Sequence, residues 1–344
     1  MAPLTSSWLI NASDRVDSAK WRKQFDSIYI ITTPQPYKLT NSRTIHLNTT
    51  MAFKKIAIAG ATGNLGPSIV NELVNQGFEV TVLSSSGKTS GLPSAIKVVK
   101  VDYSSQDSVI SALRGQEAFV SAIPKHEEQP ALIDAAIAAG VQRVIPSEFG
   151  SNIVGNEKVR ALPVFGGKVK TQDYLRAKQD QISYTLITNG LFLDWAINLG
   201  WVVNLKGKTE INDNGDSVHS FTLLSDIGKA VAGVLNNPEE TKNRGVYVQT
   251  VALSQNQALK IAQKVKPEFK AETESVDLGE LEKNAYAELS KQNGDIGSAM
   301  LNFIKISIFR DGYGNLWNDK NDNELLGVKG LSESELEDLI AKSF

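Results

Sequence analysis

The chain has 344 residues, 41% hydrophobic and 22% charged, with a formal net charge of −2 and no cysteine. That is enough apolar material for one large α/β domain or a domain with a smaller lobe. The near-neutral charge gives no field to draw nucleic acid or an anionic membrane, and the missing cysteines exclude disulfides, thiolate catalysis and cysteine metal sites.

Residues 1–50 are rich in Ser, Thr and Asn, contain no Glu and show no sustained periodicity. They are expected to be a disordered extension or an artefact of the assigned start, because Met51 stands just before the first strand pattern. Arg15, Lys20, Arg22, Lys23 and Arg43 suggest a mitochondrial transit peptide, against which Asp14, Asp17 and Asp26 count.

The folded part opens with an apolar strand, 54–59, that runs into Gly60-Ala61-Thr62-Gly63-Asn64-Leu65-Gly66 and then a helix over 65–76. Glycine at 60 permits a tight turn, at 63 lets backbone approach a pyrophosphate, and at 66 lets the helix pack on the strand. The spacing is GxxGxxG, and no GK[ST] follows, which excludes a Walker-type phosphate loop. The free N–H groups at the helix start would hold the anion. A dinucleotide site is therefore expected at Gly60, Thr62, Gly63, Asn64, Leu65 and Gly66.

Strands at 78–83, 96–101, 117–122 and 142–146 then alternate with helices at 105–114 and 128–139, and a further strand spans 184–188. Such alternation predicts a Rossmann-type, doubly wound parallel sheet. Beyond it, strand-like pieces at 208–212, 218–223 and 245–250 interleave with helices near 225–236 and 254–265. The tail from about 276 reads as helical, with a capping box at Ser332 and Glu335. The expected organisation is a nucleotide-binding domain over 51–195 and a smaller C-terminal α/β substrate lobe over 196–344, packed on the sheet.

The second strand ends Val82-Leu83-Ser84-Ser85-Ser86-Gly87-Lys88, with no acid to accept a ribose 2′-hydroxyl. Ser84, Ser85 and Lys88 suit a 2′-phosphate, so NADPH is favoured over NADH. Asp102, ending the third strand, is placed to reach the adenine. Ser121 and Ala122 end the fourth, at the carboxyl edge where ligands collect.

Together with the glycine turn, Val144-Ile145-Pro146-Ser147-Glu148-Phe149-Gly150, Phe165-Gly166-Gly167-Lys168, Tyr184-Thr185 and Asn189-Gly190-Leu191-Phe192-Leu193-Asp194-Trp195 resemble the isoflavone reductase and phenylcoumaran benzylic ether reductase family. These are NmrA-like, atypical short-chain dehydrogenases, and the similarity spans about 53–344, closest to the fungal isoflavone-reductase-like branch. The resemblance implies a catalytic lysine opening the helix after the PSEFG loop, and places it at Lys168, which would also hold the nicotinamide ribose. Lys170 competes: ungapped counting from Tyr184-Thr185 favours 170, whereas the helix's apolar phase through Leu175 favours 168. Phe149 would pack on the nicotinamide, and Phe149, Asn189 and Phe192 would line the substrate pocket. The family usually carries an arginine just after the second strand, where Ser85 stands. The YxxxK match Tyr174 to Lys178 is discounted, because no serine lies about a dozen residues upstream and it falls in mid-helix.

The resemblance implies an NADPH-dependent reductase of an aromatic or phenolic secondary metabolite. The alternatives are an NADP(H)-sensing regulator without turnover and a redox-neutral isomerase or cyclase. No apolar run reaches the ~18 residues of a membrane helix, and His46, His126 and His219 are too scattered to suggest a metal site. A cytoplasmic monomer or homodimer with a small-molecule substrate and no metal, nucleic-acid or membrane partner is expected.

Overall fold

The computed structural model describes residues 53–88, 91–93 and 96–344; the expected extension over 1–50 lies outside them. Among the described residues, twelve strands form three sheets. The strands are β1 (Lys55–Ala59), β2 (Glu79–Ser84), β3 (Lys97–Lys100), β4 (Ala118–Ser121), β5 (Arg143–Ile145), β6 (Ser183–Thr188), β7 (Leu191–Phe192), β8 (Thr209–Asn212), β9 (His219–Thr222), β10 (Arg244–Tyr247), β11 (Val251–Leu253) and β12 (Thr273–Val276). Seven of them make the main sheet, in the order β10-β6-β5-β4-β1-β2-β3, with every pairing parallel. Parallel strands must be buried on both faces, and the runs Ile56 to Ala59 and Val80 to Leu83, apolar except for Thr81, are.

Helices cover both faces: α1 (Gly66–Asn75), α2 (Gln106–Leu113), α3 (Gln129–Ala139), α4 (Glu157–Arg160) and α5 (Gly166–Ala177) precede β6. After β7 come α6 (Leu193–Asn198), α7 (Leu224–Asn236), α8 (Gln255–Val265), α9 (Leu278–Ser290), α10 (Ile296–Phe309), α11 (Asn323–Leu326) and α12 (Glu333–Ala341). In α1 the apolar phase of Ile69, Val70 and Leu73 faces the core, as the 3.6-residue period requires. The capping box at Ser332 and Glu335 forms as expected, and Ser254 with Gln257 makes another.

The chain crosses the boundary expected at 195/196 and comes back. α7 lays Ile227, Ala230, Val231 and Val234 into the same core as α1, and β10 adds a parallel strand beside β6. The approach of α7 to α1 is close enough that a Cβ on Gly228 would stand 2.6 Å from the Ser68 carbonyl. The expected strand 245–250 ends at Tyr247, and a separate strand, β11, begins at Val251. The backbone of Val248 bonds Thr188 in the main sheet and that of Thr250 bonds Phe221 in the three-stranded one, so the chain changes sheets between them. Residues from 193–221, 253–309 and the C-terminal helix build a separate apolar cluster that includes Leu193, Phe221, Leu253, Phe309 and Ile340.

Candidate active site

The strand order reverses between β1 and β4, and the glycine turn sits at the end of β1 at that point. Ligands of open α/β sheets collect in this crevice, where the loops diverge. Gly60 has φ +82°, and a Cβ there would lie 2.7 Å from the Ala122 carbonyl carbon, so the turn closes directly on the end of β4. A Cβ on Gly66 would stand 2.2 Å from the Gly60 oxygen, which seats α1 on the turn. Gly63 is different: it is exposed, and its nearest obstacle is the Gly60 oxygen at 3.4 Å, leaving its outer side open. The start of α1 has no side-chain cap and no acid in its first turn, which leaves its positive end for an anion. Thr62 is exposed beside it, Asn64 half-buried and Leu65 buried.

The carboxyl ends of β4, β5 and β6 bring the other residues in. After β5, the Glu148-Phe149-Gly150 segment is tied to β6's end, where Asn189 and Gly190 donate their amides to the Gly150 carbonyl at 3.2 and 3.0 Å. α5 then aims Lys168 back at this loop. Its ammonium donates to the carbonyls of Glu148 (2.6 Å) and Phe149 (3.2 Å), leaving one of its three hydrogens uncommitted. Lys170 is two residues on, roughly 200° around the helix, and exposed. The competition between the two is thus separated by direction: Lys168 faces the crevice and Lys170 the solvent.

Burial and charge act together on this group. Desolvation holds the Lys168 pKa below its ordinary 10.5, and the nearby Glu148 carboxylate works against that. Glu148 is itself 4% exposed, accepts from the Gln172 amide at 2.7 Å, and is pushed up to about 7 by burial despite the neighbouring Lys168. His126 packs against Gly167, where a Cβ would come within 2.7 Å of its own. Desolvation, reinforced by the Lys168 charge, lowers its pKa to about 3. Neither Glu148 nor His126 is marked as a site residue by the sequence, because what distinguishes them is burial. The one available signal is that His126 falls in the loop leaving β4 at the ligand edge.

Four of the eight buried side-chain polar atoms that lack a partner among the described residues belong to this edge: Ser121 Oγ, His126 Nδ1, Glu148 Oε1 and Asn189 Oδ1. Buried polar atoms are ordinarily paired, so their grouping marks a place built to receive something. Phe192 lies beyond Asn189 and meets Trp195 edge to face at 5.2 Å. Ser84, Ser85 and Lys88 form the turn after β2 at the same edge. Asp102 is exposed and its carboxylate accepts from the backbone and hydroxyl of Ser104, so it serves its own turn. The glycine cradle, the free helix start and the unpartnered Ser121 hydroxyl fit a dinucleotide.

The raised Glu148 pKa has a consequence for stability. The folded state holds this proton more tightly than the unfolded chain, so the stabilisation is full below pH 4.5 and is lost as pH rises from there to about 7. Glu148→Gln, neutral throughout, is expected to gain on the wild type by up to about 3 kcal/mol across that window. The lowered His126 pKa acts oppositely and equally in both proteins, so it cancels in the difference. Melting curves of the two proteins between pH 4 and 8 check this; parallel curves would refute it.

A parallel sheet with an open glycine cradle at its switch point and an inward lysine beside it is an arrangement suited to a dinucleotide-dependent enzyme. The chain belongs to the NmrA-like family, whose profile matches residues 52–292. It is 38% identical over 213 residues to oxidoreductase aprR of Aspergillus flavus, covering 60% of this chain and 71% of that one. Oxidoreductase poxI of Penicillium oxalicum is 26% identical over 335 residues, covering 91% of this chain and 96% of that one. Pinoresinol reductase 1 of Arabidopsis thaliana is 28% identical over 223 residues, 57% of this chain and 68% of that one. Among solved structures, AtPrR2 with NADP+ and (+)-pinoresinol superimposes with a TM-score of 0.70 at 22% identity, over 85% of this chain and 99% of that one. An isoflavone reductase follows with a TM-score of 0.67 at 18% identity, over 85% and 100%. These structural likenesses carry the fold.

Proposed function

We propose that the protein is an NADPH-dependent reductase of an aromatic or phenolic secondary metabolite, with Lys168 as its proton-handling residue. The observation that carries this reading is the Lys168 ammonium, held on two loop carbonyls at the switch point with one hydrogen left for a ligand. The names of the relatives, pinoresinol reductases and eugenol synthase among them, support a phenolic substrate.

In this reading the turn from Gly60 to Gly66 and the start of α1 hold the pyrophosphate. Ser84, Ser85 and Lys88 meet the 2′-phosphate, and Ser121, Ala122, Phe149 and Lys168 flank the nicotinamide half. When bound, NADPH supplies a hydride for an enone, imine, carbonyl or benzylic ether carbon of the substrate. Lys168 holds a proton at Nζ for the substrate heteroatom on which charge develops; burial, by lowering its pKa, makes that proton easier to give. Phe149, Asn189 and Phe192 form the wall against which an aromatic substrate lies, with the Asn189 oxygen available to a donor.

Calorimetric titration of the full chain with NADPH and with NADH tests the cofactor. Micromolar NADPH binding, at least tenfold tighter than NADH, is expected. Failure to bind either nucleotide would overturn the reading in favour of a redox-neutral member.

A further inference from the structure

The turn assigned to the 2′-phosphate contains only one cation, Lys88, in a chain whose second strand is followed by serines. A second cation reaches the turn from the neighbouring strand. β2 and β3 pair in parallel with Ser84 opposite Lys100, and the Val101 amide donates to the Ser84 carbonyl at 2.9 Å, so the last residue of each strand lies side by side at the ligand edge. The turn itself is held by the Gly87 amide on the Ser84 hydroxyl (3.0 Å) and the Lys88 amide on the Ser86 hydroxyl (3.3 Å). Gly87, at φ +70°, presents no side chain, and the Lys100 stem runs across it. A Cβ built there would lie 3.6, 3.7 and 3.8 Å from Cβ, Cγ and Cδ of Lys100. The Lys100 stem thus lies against the serine turn, with its ammonium two bonds beyond Cδ.

Among the described residues no carboxylate oxygen lies within 4.0 Å of the Lys88 or Lys100 ammonium. The closest acid in sequence, Asp102, is engaged with Ser104. β3 is the edge strand of the sheet, and lysines on edge strands also serve to discourage pairing with other chains. That role is shared by Lys97 at the strand's other end, away from the ligand edge, so Lys97 separates the two explanations.

We propose that Lys100 is a cofactor-selectivity residue, which with Lys88 forms a two-lysine site for the 2′-phosphate of the adenosine ribose. The inference rests on the NADPH reading above and adds the residue on which the preference depends. A lysine offers a point charge rather than a bidentate fork, so two lysines, one from the turn after β2 and one ending β3, would supply what a single guanidinium can give alone.

The test titrates the full-length wild type, Lys100→Ala and Lys97→Ala with NADPH, NADH and 2′,5′-ADP. Lys100→Ala is expected to weaken NADPH and 2′,5′-ADP at least tenfold and to leave NADH within twofold, while Lys97→Ala changes none of them. All three proteins are expected to melt alike, since both side chains are exposed. An unchanged NADPH to NADH ratio in Lys100→Ala, with the wild type preferring NADPH, overturns the role of Lys100 alone. A wild type with no preference for NADPH overturns the cofactor reading and this inference with it.

Discussion

Replacing Lys168 with alanine is expected to lower turnover by about 10²–10⁴-fold, the range that a positioned proton donor supplies. Cofactor affinity should change little, because the glycine turn and α1, which carry the pyrophosphate contacts in this reading, lie on other elements. Removing the ammonium also leaves the Glu148 and Phe149 carbonyls unpartnered, costing roughly 1–3 kcal/mol of stability. Turnover must therefore be compared well below the melting temperature. Lys170→Ala, on the solvent side of α5, should leave turnover unchanged. The pH profile separates proton chemistry from simple anchoring. If protonated Lys168 is the acid, activity falls on the alkaline side at a pH below the ordinary 10.5, because burial has lowered its pKa. Glu148→Gln removes the charge that helps retain that proton, so the alkaline limb should move further down. An alanine variant with full activity would remove Lys168 from the mechanism, and an alkaline limb that stays put in Glu148→Gln would remove the coupling.

The second large effect belongs to Gly66. An alanine there puts its methyl 2.2 Å from the Gly60 oxygen and 2.5 Å from the Ala61 carbonyl, and backbone on both sides has no rotamer by which to yield. α1 must move off the turn, and it is the helix against which α7 packs. A stability loss at or above the usual 1–3 kcal/mol of overpacking is expected, with nucleotide binding lost outright. Gly63→Ala makes the contrast. Its methyl meets only the Gly60 oxygen at 3.4 Å, so the fold should survive, and any loss of NADPH affinity reports a phosphate against that open face. Equal stability losses in both variants, measured by denaturant unfolding, would show that the two glycines do not divide the work in this way.

The sheet was legible because it is local. The strands and helices between 54 and 146 announce themselves by their own periodicity, whereas the four-residue α4 is too short to show one and α5 is expected only from the resemblance. Lys168 was within reach because the resemblance and the helix phase both pointed to it, although only the folded direction of α5 separates it from Lys170. What escaped depends on long-range packing. No pattern in 224–247 says that α7 and β10 return to the first sheet, since an amphipathic helix and an apolar strand fit either layer. Glu148 reads as one letter of a motif until the fold buries it beside an ammonium. Lys100 reads as an edge-strand charge until the register sets it across Gly87.

The return of β10 bears on how the protein is made. Arg143, on β5, is 1% exposed, and among the described residues no carboxylate hydrogen-bonds to it. Its guanidinium is satisfied by Ser183 and Thr185 on β6, by the Thr241 hydroxyl and by the Pro238 carbonyl. The last two partners leave the ribosome nearly a hundred residues after the arginine, and β10 follows them. Until then the nascent chain carries a cation lacking part of its shell and, once β6 is made, an open β6 edge, both of which disfavour early consolidation. The glycine turn is encoded early, but the last strand of its sheet arrives late, so a stall or cleavage between 195 and 238 leaves a sheet that is sticky rather than a smaller working domain.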